Sequence, residues 1–257
     1  MSYSISRDGQ LLTFSIERPG VRNAVSHDVM DGLEKFIRQL ETDGSVEWGV
    51  VTSTGRKAFC SGGDLSEFHT LRTADEARPM LLRMTRLLYR LAAVPVPVIA
   101  LMDGTAVGGG CELAAACDFR LMRADARAGF IQGTLAITTG WGGASLLYEK
   151  ESLHAPALQL LMGAKLHEAR TLEEAGWITS VYTDGKQEAL VRFLDGFRTI
   201  SPGVLHAYKM VAVRRFVQTG LEHRMLEEAE QCAVLWESDE HHEAVRRFRE
   251  KTGRPKD

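Results

Sequence analysis

A glycine cluster set between a buried strand and a helix constrains this chain more than any other feature. Residues 97–118 read P-V-I-A-L-M-D-G-T-A-V-G-G-G-C-E-L-A-A-A-C-D. The run Val98 to Met102 is apolar without polar alternation, the mark of a strand covered on both faces. Gly108-Gly109-Gly110 follows, and Cys111 to Ala116 is a helix-forming run. A strand, a glycine turn and a helix start leave bare backbone N–H groups facing whatever binds there. Glu112, in the first turn of that helix, adds a carboxylate. Donors for a developing oxyanion and a carboxylate for proton transfer, side by side, form a candidate catalytic site. The same pattern also serves plainer ends. Glycines allow close packing or phosphate binding, and a first-turn glutamate favours the positive end of the helix dipole. Two stock motifs are excluded: the segment lacks the Lys-Ser/Thr ending of a P-loop, and it is not G-x-G-x-x-G opening a βαβ unit.

Trp48 to Ser53, W-G-V-V-T-S, reads as a second buried strand, and Lys57 to Leu65, K-A-F-C-S-G-G-D-L, follows it. Two such turns supply one N–H each, the minimum for an oxyanion hole. K-A-F-C-S-G-G-D-L-S-E-F, with G-T-A-V-G-G-G-C-E-L-A-A-A-C-D about forty residues later, resembles the enoyl-CoA hydratase/isomerase (crotonase) family. The resemblance runs through nearly the whole chain. Glu17 to Ala24, E-R-P-G-V-R-N-A, is similar to the family's N-P-x-x-x-N-A turn. Thr139-Gly140-Trp141-Gly142-Gly143 is similar to its P-G-x-G-G turn, with Thr139 in place of the proline. Ser238-Asp239-Glu240 and Phe248-Arg249-Glu250-Lys251 resemble its tail. This ordered set is specific for the family and much less so for the reaction.

The resemblance implies an α/β fold: a crotonase-like spiral of ββα units over residues 1–195, then a C-terminal helical trimerisation region over 196–257. It implies an acyl-CoA substrate and a homotrimer or homohexamer, the tail packing on a neighbouring subunit. A tail that only packs on its own core would show the same periodicity. The oxyanion donors carried over by motif are the N–H groups of Gly63 and Gly109. Backbone groups around Gly63, Asp64 and Leu65 are expected to line CoA, with Lys57 placed to meet its phosphates and Phe248 and Lys251 to reach it from the tail. A solvated lysine and an amphipathic terminal helix account equally for Lys57 and for the tail pair. Trp141 walls the acyl pocket or packs under its turn. CoA enters as part of the substrate thioester, and no separate cofactor is implied.

Composition agrees with this class. At 257 residues and 44% apolar, the chain can bury one large core. A net charge of −3 gives no electrostatic reason to expect nucleic acid or an anionic membrane as partner. Apolar runs stay well short of the roughly 20 residues of a membrane span. The start, M-S-Y-S-I-S-R-D, lacks the pattern of a signal or transit peptide, so a cytoplasmic location is expected. Cys60, Cys111, Cys117 and Cys232 lack metal or redox spacing and read as reduced core thiols. No metal is expected, and His241-His242 falls in a charged helix that reads as solvated.

Strands at about 11–17, 47–53 and 97–102 alternate with helical patterns at 26–42, 74–93 and 111–116, which argues for parallel strands with crossover helices. From about Ser152 the chain reads as mostly helical, including Ala155–Met162, Thr171–Gly176, Pro202–Val217 and Leu221–Trp236. Asp118, after the glycine-turn helix, reads as structural, capping or pairing with an arginine near Arg120.

One departure from the family pattern bears on the reaction. Two-glutamate hydratases of the family carry their second glutamate eight residues before the glycine of P-G-x-G-G. Counting back from Gly140 gives Gln132, and no carboxylate lies between Asp125 and Glu149. An amide can orient water but cannot exchange a proton near neutral pH. That leaves Glu112 as the only acid/base legible in the sequence. Decarboxylation of a malonyl-type thioester needs an oxyanion hole and a proton donor but no base to activate water. C-D-F-R-L-M at Cys117–Met122 and the W-G-G of Trp141–Gly143 resemble the ethylmalonyl-CoA decarboxylase branch. Hydration with Glu112 alone, double-bond isomerisation, and a non-catalytic CoA-ester or RNA binder remain the other readings.

Overall fold

Apolar runs without polar alternation become the central strands. The computed structural model describes residues 2–150 and 154–251, without the side chains of Arg249 and Lys251; the boundary read at Ser152 lies outside the described residues. The strands are β1 (Tyr3–Asp8), β2 (Leu11–Ile16), β3 (Trp48–Ser53), β4 (Ala58–Cys60), β5 (Val98–Met102), β6 (Thr105–Val107), β7 (Phe119–Arg123), β8 (Arg127–Gly129), β9 (His167–Glu168) and β10 (Ser180–Tyr182). The helices are α1 (His27–Thr42), α2 (Leu65–Phe68), α3 (Ala74–Ala93), α4 (Gly109–Ala116), α5 (Gly143–Lys150) and α6 (His154–Met162), then α7 (Ala169–Glu174), α8 (Lys186–Asp195), α9 (Pro202–Gln218), α10 (Leu221–Trp236) and α11 (Asp239–Lys251).

A six-stranded sheet runs β1-β2-β3-β5-β7-β10, and a four-stranded sheet runs β4-β6-β8-β9. From β2 to β10 the first sheet is parallel, as are β4, β6 and β8 in the second. Each pass through β3–β4, β5–β6 and β7–β8 places one strand in each sheet, and helices carry the chain back. This is the α/β spiral of ββα turns expected above. The strands alternate between two cores. Val51, Ala100, Met102 and Met122 join the main core with α1, α3 and α4. Val50, Ile99, Leu101 and Leu121 face Trp48, Leu190, Phe193 and Phe197 on the other side of the sheet.

Side chains satisfy free N–H groups at the start of the two long helices of the core. Ser26 caps α1, and Thr73 with Glu76 forms a capping box on α3. The amphipathic tail helix α10 packs on α3 and α5 of its own chain, and α11 packs on the short 3-10 turn Gln132–Leu135.

The chain after 154 is mostly helical, as expected, and also carries β9 and β10, each too short to stand out as a pattern. Two expectations need correction. Asp118 pairs with a lysine: Lys209 Nζ, buried on α9, lies 2.6 Å from its carboxylate. His241 is not solvated. It is 3% exposed, and its Nδ1 donates to Leu135 O at 2.7 Å.

The parallel pairing has one consequence that positions everything else. β4 pairs with β6 and β6 with β8, so the turns leaving these strands emerge side by side. Gly110 lies where the first two meet. A Cβ on it would run into the Cys60 carbonyl oxygen and lie 2.7 Å from its carbon. Gly110→Ala is therefore expected to cost about 3 kcal/mol or more. Gly203→Ala, in open space at the start of α9, should be neutral or slightly stabilising. Urea denaturation of the two variants checks this contrast.

Candidate active site

Three turns converge at the ends of β4, β6 and β8. In the first, Gly62 O accepts from Val25 N at 2.8 Å and Asp64 N donates to Val25 O at 2.9 Å. The residue between them forms a parallel bridge with Val25, which turns the Gly63 N–H to the opposite side. In the second, Gly108 takes φ 56° and ψ −117°, a conformation reserved for glycine, and Gly109 opens α4. The first N–H groups of a helix have no intrahelical acceptor. A Cβ on Gly62 would lie 3.1 Å from Gly109 N, so the two turns touch. Two backbone N–H groups of different turns are thereby neighbours.

Glu112 lies one turn into α4 and is 2% exposed. Its Oε2 accepts from the N–H groups of Trp141 and Gly143, both at 2.9 Å. Its Oε1 accepts from Gln132 Nε2 at 2.8 Å. Gln132 arrives from the third turn and is itself buried, and among the described residues its own Oε1 has no hydrogen-bond partner. Burial pushes the Glu112 carboxyl up and the charge of Glu228 pushes it further. The Trp141 and Gly143 amides and Gln132 work against this, and the balance lies at about 7. The indole of Trp141 lies against both glycine turns. A Cβ on Gly109 would sit 2.6 Å from its Cη2, and one on Gly63 would sit 3.6 Å from its Cζ2. Gly63, Gly109, Glu112, Gln132 and Trp141 thus form one cluster of donors, a carboxyl group and an aromatic wall. That arrangement can stabilise an oxyanion and exchange one proton beside it.

The family model for enoyl-CoA hydratase/isomerase matches residues 7–255. The chain belongs to that family. It is 27% identical over 247 residues to the short-chain-enoyl-CoA hydratase of Clostridium acetobutylicum, covering 96% of this chain and 94% of that one. It is 35% identical over 183 residues to the ethylmalonyl-CoA decarboxylase of Xenopus laevis, covering 70% and 59%. An enoyl-CoA hydratase structure from Mycobacterium avium subsp. paratuberculosis superposes with a TM-score of 0.84 at 22% identity, covering 95% and 98%. The fold is therefore the crotonase fold, and the protein is an acyl-CoA enzyme of the hydratase/isomerase family.

The remaining residues singled out for this crotonase-family member occupy different settings. Lys57 is exposed, just before β4. Leu65 is half-buried at the start of α2. The Asp64 side chain turns inward, where its Oδ1 accepts from Ser66 N at 2.9 Å and its Oδ2 lies 2.7 Å from Arg18. Burial opposes its charge, but Ser66 and Arg18 outweigh burial and hold the carboxyl below its ordinary range. Phe248 is half-buried on α11. Lys251 ends that helix, and its side chain lies outside the described residues. All four cysteine side chains are buried. Among the described residues no three His, Cys, Asp or Glu side chains group as metal ligands, and no helix is long and apolar enough to cross a membrane.

One residue was missed in the sequence. Glu228 on α10, a half-buried residue, brings a second carboxylate to the turn that holds Glu112. The available signal was its position one helical repeat after Leu221, on the face of Met225 and Cys232, where a polar residue needs partners.

A raised carboxyl makes stability depend on pH with a definite sign. Glu112 ionises near 4.5 when unfolded and near 7 when folded, so its contribution is complete below pH 4.5 and is lost as pH rises through 7. Glu228 is raised too, so it acts in the same direction. Glu112→Gln should therefore stabilise the protein by about 1–3 kcal/mol at pH 8 and by little at pH 4.5. Thermal melts across that range measure the difference.

Proposed function

We propose that this protein is an acyl-CoA lyase that decarboxylates a malonyl-type thioester. The observation that carries the reading is the Gln132 amide bonded to Glu112, where hydration by paired carboxylates would need a second acid. The Gly63 and Gly109 N–H groups receive the thioester oxygen. The bond between the α-carbon and the substrate carboxylate breaks, CO₂ leaves, and the electron pair moves into an enolate whose charge falls on that oxygen. Preorganised donors at such a position are worth several kcal/mol. Glu112 then delivers its proton to the α-carbon and recovers one from solvent. A carboxyl balanced near 7 suits this step, because it keeps a proton beside a negatively charged substrate.

Exposed Lys57 is offered as a phosphate contact, and the strand-to-helix segment Gly63–Leu65 as a backbone lining for CoA. Trp141 walls the acyl pocket against both turns.

A specific observation also favours hydration as a second reading. The unpartnered Oε1 of buried Gln132 can accept from a water that Glu112 then activates alone. A mass-resolved assay with crotonyl-CoA, a 3-enoyl-CoA, methylmalonyl-CoA and ethylmalonyl-CoA separates the readings. Loss of CO₂ with negligible hydration is expected, and Glu112→Gln should lower it by about 10² to 10⁴ while the thioester still binds. Gln132→Glu should raise hydration of crotonyl-CoA. Rapid hydration by the natural chain would establish the second reading instead.

The assembly we propose is a homotrimer or homohexamer. α9 presents Val204, Tyr208 and Val211 at helical spacing on one exposed face, Tyr208 being 74% exposed. Light scattering after size exclusion should give three or six chains, and Tyr208→Asp with Val211→Asp should reduce that number. A monomeric natural chain would overturn the assignment.

A further inference from the structure

The carboxylate of Glu228 has no role in the chemistry above, yet it reaches the same turn as Glu112. It accepts from Ala144 N at 3.0 Å, Ser145 N at 2.8 Å and the Ser145 hydroxyl at 2.7 Å, and also from the Thr139 hydroxyl. The N–H groups just before these, Gly143 and Trp141, belong to Glu112. The start of α5 is thus shared by two carboxylates, one from α4 and one from α10. Thr139, which stands where the family motif has proline, supplies one of the donors.

We propose that Glu228 is a positioning residue for Glu112, acting through the first turn of α5 that both carboxylates hold. The inference rests on the proposed role of Glu112 as the proton donor. Its mechanical part follows from the bonding order. By holding Ala144 and Ser145, Glu228 fixes the backbone of residues 141–145 and so aims the two amides that orient Glu112 Oε2. Its electrical part follows from sign. Like charges repel, so an ionised Glu228 favours the protonated form of buried Glu112.

The surrounding groups leave this coupling undiluted. Cys111 on α4 and Cys232 on α10 are buried thiols held well above the usual range by burial. On α5, Glu149 pairs with Arg215 and Arg224. From α3, Arg78 pairs with Glu230 on α10. On α11, His241 is turned to Leu135 O. Among the described residues no cation pairs with Glu112 or Glu228.

The test follows Glu112 itself. Its ionisation is read from the infrared carboxyl band that disappears in Glu112→Gln, and turnover is read with methylmalonyl-CoA across pH. In Glu228→Gln the Glu112 midpoint should fall by about one pH unit. The pH profile of kcat should move with it, kcat should drop about tenfold or more, and KM should stay within about threefold. Thr139→Val removes one donor from Glu228, favours its neutral form, and should move the midpoint the same way by less. An unmoved midpoint in folded Glu228→Gln, or in Thr139→Val where the first variant does not fold, overturns the inference. Full activity in Glu112→Gln would instead remove the role of Glu112 as proton donor, while the midpoint measurement would still report the coupling.

Discussion

The parallel pairing of β4, β6 and β8 is the constraint on which the rest depends. Three short strands leave their turns in one place, and the turns bring together the groups of the candidate site: the Gly63 N–H, the Gly109 N–H with Glu112, and the Gln132 amide. No single one of these turns supplies both N–H groups and the amide that meets Glu112. The cost of bringing them together is close backbone approach, which the glycines at 108–110 meet. Gly108 adopts a backbone conformation open to glycine alone, while Gly109 and Gly110 leave no room for a side chain against Trp141 and Cys60. The cluster that reads as a ligand-binding turn is therefore also a tight packing constraint.

The helix α4 is held at both ends by polar side chains, a carboxyl group at its start and an amine at its end. Glu112 sits in its first turn, and Lys150 Nζ donates to Ala116 O and Cys117 O at its last. Lys209 closes the same end by pairing with Asp118, which also accepts from Val98 N. Burial pushes the Lys150 ammonium down to about 7, with Lys209 and Arg120 adding to the effect and Asp118 opposing it. This helix has almost no polar face of its own, since all eight residues are buried. Its orientation comes instead from these carbonyl and carboxylate contacts at its ends, which is why a modest segment of eight residues can hold a reacting group in place.

What the sequence made legible and what it did not follows a physical division. The glycine turns, the strand at Val98–Met102 and Glu112 are local features, written within a few residues of one another. Gln132 was found by spacing along one segment. Glu228 was not, because its partners Thr139, Ala144 and Ser145 lie more than 80 residues earlier, and a glutamate in L-E-E-A-E reads as part of a solvated stripe. His241 and Lys209 were misread or passed over for the same reason: each is buried by a tertiary contact, with Leu135 O and Asp118, that no periodicity encodes. The short strands β9 and β10 exist because a neighbouring strand was already there to pair with, and two or three residues carry too little pattern to announce that.

The reaction is the property least tied to the scaffold. Decarboxylation, hydration and isomerisation all place charge on the thioester oxygen, so all can use the same two N–H groups; they differ in what must happen to a proton. On this chain that difference is concentrated in the environment of one carboxyl group. Three N–H donors favour its charged form, while burial and a neighbouring carboxylate favour its neutral form, and the second pair prevails by enough to reach about 7. Had a glutamate stood at position 132, the third donor would be a third negative charge, and the three carboxylates could not all ionise together. The amide at that position is therefore more than the loss of a base. It donates to Glu112 and so favours the charged form, against burial and the charge of Glu228, which favour the proton.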